Sequence, residues 1–313
     1  MRCYIAVDIG GTQIRAALYP EDGFTPLQQM RIPTVDNNQA PLERMIQLIQ
    51  QIWPEDGEVK SIAIASPGFI NSAEGLVLSA PNIAGFTNLP VARIVAKRFS
   101  VPVFLGNDAN LAVMGESLFG SGRGHQDILY LTISTGIGGG IISHGRLVEG
   151  THGIAGELGH VTVEPDGPLC ACGKRGHLEA LASGTAIAKY VMDKRSEGRT
   201  SLFPQGSLPD GKEIAEAARK GDALSIEAFE RAGFYLGRAL ADFLAIFNPS
   251  LLILGGGVSF SGDLLRIPLK RSLEQHVVSR EYLQGLSITT ASLGDDTGLL
   301  GALALQHQKD QQT

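Results

Sequence analysis

Five apolar runs, each breaking off in small or polar residues, set the rhythm of this chain. They are CYIAVDIG (3–10), SIAIASPG (61–68), VPVFLGND (101–108), ILYLTIST (128–135) and LLILGGG (251–257). Short continuous apolar runs of this kind predict strands covered on both faces, as in an α/β sheet. Helical spacing separates them, in PLERMIQLIQQIW (41–53) and SIEAFERAGFYLGRALADFLAIF (225–247). The second pattern repeats apolar residues every three or four positions and stops before Asn248-Pro249, a helix-ending signal. Glycine concentrates where the strands end, the place where α/β proteins put their ligands.

One pattern occurs twice. IAVDIGGTQIRAALY (5–19) and LTISTGIGGGII (131–142) both read as apolar strand, polar residue, glycine-rich turn and second apolar strand. The echo hints at two related lobes that each offer a hairpin turn to a shared ligand, although glycine turns between strands are common. In DIGGT (8–12) the glycines let the backbone turn sharply and aim N–H groups outward, a concavity suited to anions. Thr12 adds a hydroxyl, and Asp8 is placed either to hold magnesium through water or to repel a misplaced phosphate. The plainer reading is an ordinary hairpin turn. STGIGGG (134–140) repeats the offer with Thr135, and GGGVS (255–259) is a third glycine turn, suited to a flat nucleobase. Neither hairpin turn is a P-loop or a dinucleotide fingerprint, since a strand rather than a helix follows each. Three such turns favour a nucleoside triphosphate held between lobes.

Composition narrows the class. The chain has 313 residues, 43% hydrophobic and 19% charged, which suits a folded protein with one large core or, as the favoured reading, two lobes, and its net charge of −6 argues mildly against a nucleic-acid face. No apolar stretch approaches the roughly 18 residues that span a bilayer. MRCYIAVDIGG lacks the features of an export signal, and three cysteines suit a reducing compartment, so the expected location is the cytoplasm.

The chemistry-bearing side chains follow the turns. In FLGNDAN (104–110), Asp108 is placed to accept a proton from an attacking hydroxyl and Asn107 to bond a second hydroxyl, but both also suit a helix N-cap. GELGH (156–160) supplies Glu157 and His160, and LEALASG (178–184) supplies Glu179. Carboxylates match sugar hydroxyls because each oxygen accepts hydrogen bonds; taken singly, each glutamate also reads as a solvated surface residue. His160, Cys170, Cys172 and His177 form H-x9-C-x-C-x4-H, four N/S donors fit for a closed tetrahedral zinc site. A metal-free turn is the alternative; C-x-C spacing argues against a redox pair, and three cysteines against an iron–sulfur cluster.

Taken in order, DIGGT, GNDAN (106–110), STGIGGG, GELGH, CACGKRGHLE (170–179), GGGVS and GDDTGLLGA (294–302) closely resemble the ROK family, and within it the sugar kinases of the bacterial glucokinase type. The resemblance covers nearly the whole chain. It implies a two-lobed actin-like ATPase fold of the ribonuclease H type with a sugar and ATP cleft. The expected division is a lobe over 1–115, a larger lobe with the zinc loop over 116–296, and a helix over about 297–313 packing back on the first. It implies ATP- and magnesium-dependent phosphorylation of a hexose, usually at O6, with structural zinc. Carried over by position, Asp108 is the catalytic base, and Gly68, Asn82, Asn107, Glu157, His160 and Glu179 line the sugar pocket. Asp8, Gly10, Gly11, Thr12, Thr135 and Gly136 meet the phosphates, and Gly255, Gly256 and Gly257 meet adenosine.

Two departures stand out. Gln13 occupies the usual place of a lysine, with Arg15 nearby to compensate, and His177 stands where the family usually has a third cysteine. Glucose is the first expectation for the substrate. N-acetylglucosamine, N-acetylmannosamine, mannose and fructose are alternatives, and Glu157 differs from the histidine expected for N-acetylmannosamine. A sugar-sensing protein without turnover and a redox or metal-storage protein are the rival classes. The DNA-reading extension of the family's repressors is not expected here, and a homodimer is.

Overall fold

In the computed structural model, residues 1–36, 38–204 and 206–311 are described. The first part of the chain forms β1 (Arg2–Ile9), β2 (Gln13–Pro20), β3 (Gln28–Pro33), α1 (Pro41–Gln51), β4 (Glu58–Ser66), β5 (Phe69–Asn71), β6 (Leu76–Ser79), β7 (Thr87–Leu89), α2 (Val91–Phe99), β8 (Val103–Asn107) and α3 (Asp108–Phe119). The second part forms β9 (Ile128–Ile133), β10 (Ile137–Ser143), β11 (Arg146–Leu147), α4 (Leu178–Ala182), α5 (Gly184–Ser196), α6 (Gly211–Arg219) and α7 (Ala223–Phe247). It continues with β12 (Leu251–Gly255), α8 (Asp263–His276), β13 (Ser287–Thr290) and α9 (Thr297–Asp310).

Two five-stranded sheets share one plan, ordered β3-β2-β1-β4-β8 and β11-β10-β9-β12-β13. In each, the first long strand pairs antiparallel with the strand that follows it and parallel with the next one inward. The repeated sequence pattern is therefore a repeated topology. Each expected strand ends one or two residues earlier than its apolar run, because the terminal glycine and polar residues turn. The short strands β3, β5, β6, β7, β11 and β13 carry too little apolar sequence to announce themselves.

Apolar faces explain the layering. Ile5, Val7, Ile62 and Ile64 pack under Leu48, Ile49, Val91 and Val95 of α1 and α2. On the other face of that sheet, Tyr4, Ala6 and Ala63 meet Leu111 and Met114 of α3 and Leu299 and Leu303 of α9. α3 turns its remaining side, Ala112 and Val113, to Ile128, Tyr130 and Ile253 of the second sheet. A helix apolar on every side belongs inside, and Ala109 to Glu116 are buried throughout. The fourth core joins β9, β10 and β12 to α4 through α8, with α7 the longest contributor. α7 starts on the Asp222 side chain, which accepts the Ser225 N–H, and ends at Asn248 in left-handed conformation. The final helix packs on the first sheet, and the last two residues of its expected span, 312 and 313, lie outside the described residues.

Candidate active site

β8 delivers the polar pair to the cleft floor. Asn107 caps α3: its Oδ1 accepts the Ala109 and Asn110 N–H at 2.9 and 3.1 Å, an arrangement that stabilises a helix by about 1 kcal/mol. Its Nδ2 donates to the Gly68 carbonyl at 3.0 Å, tying the cap to the loop after β4. Gly68 has φ +92°, and a Cβ there would sit 2.1 Å from the Ser79 carbonyl, so only glycine closes this turn. Asp108, the first residue of α3, points into the cleft with its Oδ1 accepting the Ala109 N–H at 2.8 Å.

The cleft at this point is a cavity of about 610 Å³. It brings together Gly68, Asn82, Asn107, Asp108, Thr135, Gly136, Glu157, His160 and Glu179, together with Cys172. The Asp108 side chain is open to water in the cleft yet walled in by protein. That burial, then Asp8 and more weakly Glu157, pushes its carboxyl up to about 7, against the Ala109 N–H. Burial also raises Glu157, with Glu179 adding to it and His160 opposing. Glu179 is reached from above by the second hairpin turn: its Oε2 accepts the Ile137 N–H at 3.0 Å. A Cβ on Gly136 would lie 2.5 Å from that same oxygen.

A second cavity of about 670 Å³ opens beyond Ser134 and Thr135, which border both. Its walls are the start of α5 with Gly184 and Thr185, α6 with Lys212 and Arg219, and Gly257, Val258 and Phe260 after β12. The Gly184 N–H donates to the Ser134 carbonyl at 2.7 Å, so the α5 N-terminus is fastened to the turn between the cavities. Of the three glycines of the third turn, only Gly257 borders this space. Gly255 packs against Tyr130 and Gly256 against the Ile133 backbone. Lys212, Arg219 and Phe260 were not anticipated: nothing in their local sequence marks them, and they meet only because α6 folds over the end of β12.

The first hairpin turn borders neither cavity but lies beside Asn82, which lines the first. A Cβ on Gly11 would come within 3.1 Å of the Asn82 carbonyl, and the Gly10 N–H donates to the Gln13 carbonyl at 2.9 Å. Thr12 is exposed, and its carbonyl accepts the Thr34 N–H at 2.9 Å. Asp8 is paired across the hairpin with Arg15, whose guanidinium also donates to the Asp295 carbonyl.

His160, Cys170, Cys172 and His177 converge from two loops, with one donor atom of each within 4.8 Å of all the others. The Cys170 Sγ lies 3.7 Å from the His160 Nδ1, and the Cys172 Sγ 3.2 Å from the His177 Nδ1. Donors about 2.0–2.3 Å from a tetrahedral zinc ion stand roughly 3.3–3.8 Å apart, so this donor set fits zinc. The loops are stitched by the Val163 and Glu164 N–H groups to the Gly176 carbonyl and by the Cys170 N–H to the Lys174 carbonyl. A Cβ on Gly176 would fall 1.5 Å from the Glu164 carbonyl, which makes glycine obligatory there. Cys170 also donates to the Glu179 Oε1 at 3.5 Å, linking the cluster to the cleft.

Known proteins carry the same organisation. The glucokinase of Thermotoga maritima is 39% identical over 96% of this chain and 96% of its own length. An N-acetylmannosamine kinase of Haemophilus influenzae is 31% identical over 96% of this chain and 94% of its own length. The crystal structure of a ROK family glucokinase from Streptomyces griseus, in complex with glucose and AMPPNP, superposes with a TM-score of 0.81. It is 36% identical, over 98% of this chain and 99% of that one. The two duplicated sheets and the cleft beside them are thus the two-lobed actin-like ATPase fold of these kinases. With residues 4–309 matching the model of the ROK family, the chain belongs to that family.

Proposed function

We propose that this protein is an ATP-dependent hexose kinase that transfers the γ-phosphoryl group to O6 of glucose. The observation that carries the reading is Asp108: a carboxyl raised to about 7, in a cavity with room for a hexose and lined by Asn107, Glu157, His160 and Glu179, next to a second cavity across the Thr135 turn. A base near neutrality is matched to taking a proton from a hydroxyl as it attacks phosphorus. Asn107, Glu157, His160 and Glu179 hold the sugar hydroxyls, while Gly68 and Asn82 shape the wall. The second cavity takes the adenosine, with Gly257 and Phe260 against the base, and the N–H groups of Gly11 and Thr12 in the first turn and of Thr135 and Gly136 in the second face the phosphates. Closure of residues 1–115 and the final helix against 116–296 excludes water and limits wasteful hydrolysis.

Asp8 and Asp108 give the carboxylate oxygens that a hard cation takes, so Asp8 is the group to hold magnesium through water. Magnesium supplies charge neutralisation on the transferring phosphoryl group. His160, Cys170, Cys172 and His177 hold zinc as a structural ion that fixes the two loops carrying His160 and Glu179. With two thiolates instead of three, the site is neutral rather than anionic.

The deciding experiment is a coupled assay with ATP over a panel of hexoses. The expected result is kcat/KM highest for glucose. A preference for N-acetylmannosamine, favoured by the 31% identical relative, would replace the substrate but keep the reaction class. Sugar binding without turnover on any hexose would leave a sensor.

A further inference from the structure

Glu116, in the last turn of α3, is fully buried and plays no part in the chemistry above. Four N–H and O–H groups converge on its carboxylate. Oε1 accepts the Ser292 and Leu293 N–H at 2.8 and 3.0 Å. Oε2 accepts the Ser121 N–H at 2.8 Å and the Ser292 hydroxyl at 3.2 Å. Taking a carboxylate out of water is costly, and charge-assisted hydrogen bonds of this number are what offset it. Replacing the group by a neutral one therefore changes what the donors can hold, not only local packing.

The donors come from the two passages by which the chain crosses between the sheets. Residues 120–127 carry it from α3 to β9, and residues 291–296 bring it back from β13 to α9. The Ser121 hydroxyl donates to the Thr290 carbonyl at 2.9 Å, so the first passage is also tied to the end of β13, where the second begins. Below them α3 and α9 touch through glycines, a Cβ on Gly115 reaching to 2.9 Å from the Gly301 nitrogen. The returning passage leads to the cleft. Its Asp295 carbonyl accepts from Arg15, Arg15 pairs with Asp8, and a Cβ on Gly298 would lie 2.4 Å from the Asp8 Oδ2.

The geometry points to Glu116 as a positioning residue. By fixing Ser292 and Leu293 it holds Asp295 and Gly298 in place, and through them the Arg15–Asp8 pair that faces the phosphates. The inference rests on the reading of Asp8 as the magnesium-side carboxylate. Glutamine at 116 keeps an acceptor for Ser292 and Leu293, but turns an NH₂ donor toward the Ser121 N–H.

The test uses the full chain, with calorimetric Kd values for a non-hydrolysable ATP analogue with and without Mg²⁺, and for glucose alone. In Glu116→Gln the Mg²⁺-dependent gain in analogue affinity should shrink about 10-fold, the usual lower scale for a group that orients a metal-side ligand. The Kd values without Mg²⁺ and for glucose should stay within about 2-fold, and the amides of Ser292 and Leu293 should exchange faster. A purely structural role would lower the melting temperature and leave the Mg²⁺ gain intact, which overturns the inference. Should Glu116→Gln fail to fold, Gly120→Ala serves instead, because its Cβ would lie 2.1 Å from the Glu116 Oε2 and displace the carboxylate without removing it. Asp8→Asn separates the two levels. A gain that survives Asp8→Asn overturns the reading of Asp8 and the inference with it. A gain lost in Asp8→Asn but kept in Glu116→Gln overturns the inference alone.

Discussion

The turns at Gly10–Thr12 and Ser134–Gly136 connect equivalent strands with the same number of residues, yet different parts of the chain hold them. The first is braced by charge: Asp8 and Arg15 face each other across its strands, and the α9 end packs beside them. The second carries no charge of its own. It is held from outside, by Glu179 accepting the Ile137 N–H and by the start of α5 reaching the Ser134 carbonyl. The same hairpin is thus held in two ways by its surroundings. On the proposed reading, the turn braced by Asp8 and Arg15 would face the cation and phosphates, and the one held from outside would be linked to the sugar pocket through Glu179.

Asp108 lies between the two turns, and its loss should have the largest effect. Asp108→Asn is expected to lower kcat by about 10²–10⁴-fold with sugar still bound, as for a general base. Steady-state kinetics and glucose calorimetry together check this. In the wild type, the carboxyl raised to about 7 must be ionised to act, so kcat/KM should rise with pH below about 7 and level off above it. Asp108→Asn should lack that limb. The stability sign is opposite to the activity sign. A carboxyl whose folded value is raised binds its proton more tightly in the folded state, so this contribution is present at low pH and fades as pH rises through about 7. Asp108→Asn should therefore melt higher than the wild type at pH 8, with the difference vanishing near pH 4. A melting point below the wild type's at pH 8 would remove the burial argument.

Gly136→Ala comes next and tests the externally held turn. Its methyl would press on the Glu179 carboxylate at 2.5 Å, and a displacement of about 1 Å at the reacting groups costs roughly 10²-fold in rate. We expect kcat to fall about 10- to 100-fold with the fold intact; a loss under 3-fold would mean that Glu179 gives way without consequence. His177→Ala acts on the same turn from further off. Elemental analysis should find about one zinc per chain in the wild type and less in the variant, with the sugar KM raised about 5- to 10-fold and kcat changed less. If metal content and KM both stay unchanged, the fourth donor is another group. Gly11→Ala should do least. Its Cβ meets the Asn82 carbonyl at 3.1 Å, a contact that a few tenths of an ångström relieve, so kcat/KM should fall by no more than about 3-fold. Equal losses in Gly11→Ala and Gly136→Ala would break the contrast between the turns.

Much of this was legible in the residues. The long central strands announce themselves because strands covered on both faces must be apolar throughout, and their glycine tails mark the ligand edge. His160, Cys170, Cys172 and His177 are legible because thiol and imidazole side chains at short spacings have few other reasons to cluster. Lys212 and Phe260 were not, since a lysine in GKEIAEAARK and a phenylalanine in GVSFSG look like ordinary surface residues until α6 and the β12 turn meet. Glu116 was still less so. In LAVMGESLF it reads as one polar position on a helix, and only the return of residues 292–293 beside it makes it a buried carboxylate with four donors.

What the sequence alone determined was local: which segments are strands, where they turn, and which side chains carry acid, thiol or imidazole chemistry. These follow from the side-chain period, from glycine's freedom and from intrinsic donor and acceptor types, all set within a few residues. The tertiary structure alone decided the raised carboxyl of Asp108, the grip of Glu179 on the second turn and the burial of Glu116. Each depends on burial or on partners dozens to hundreds of residues away, and neither is encoded at the position where its effect is felt.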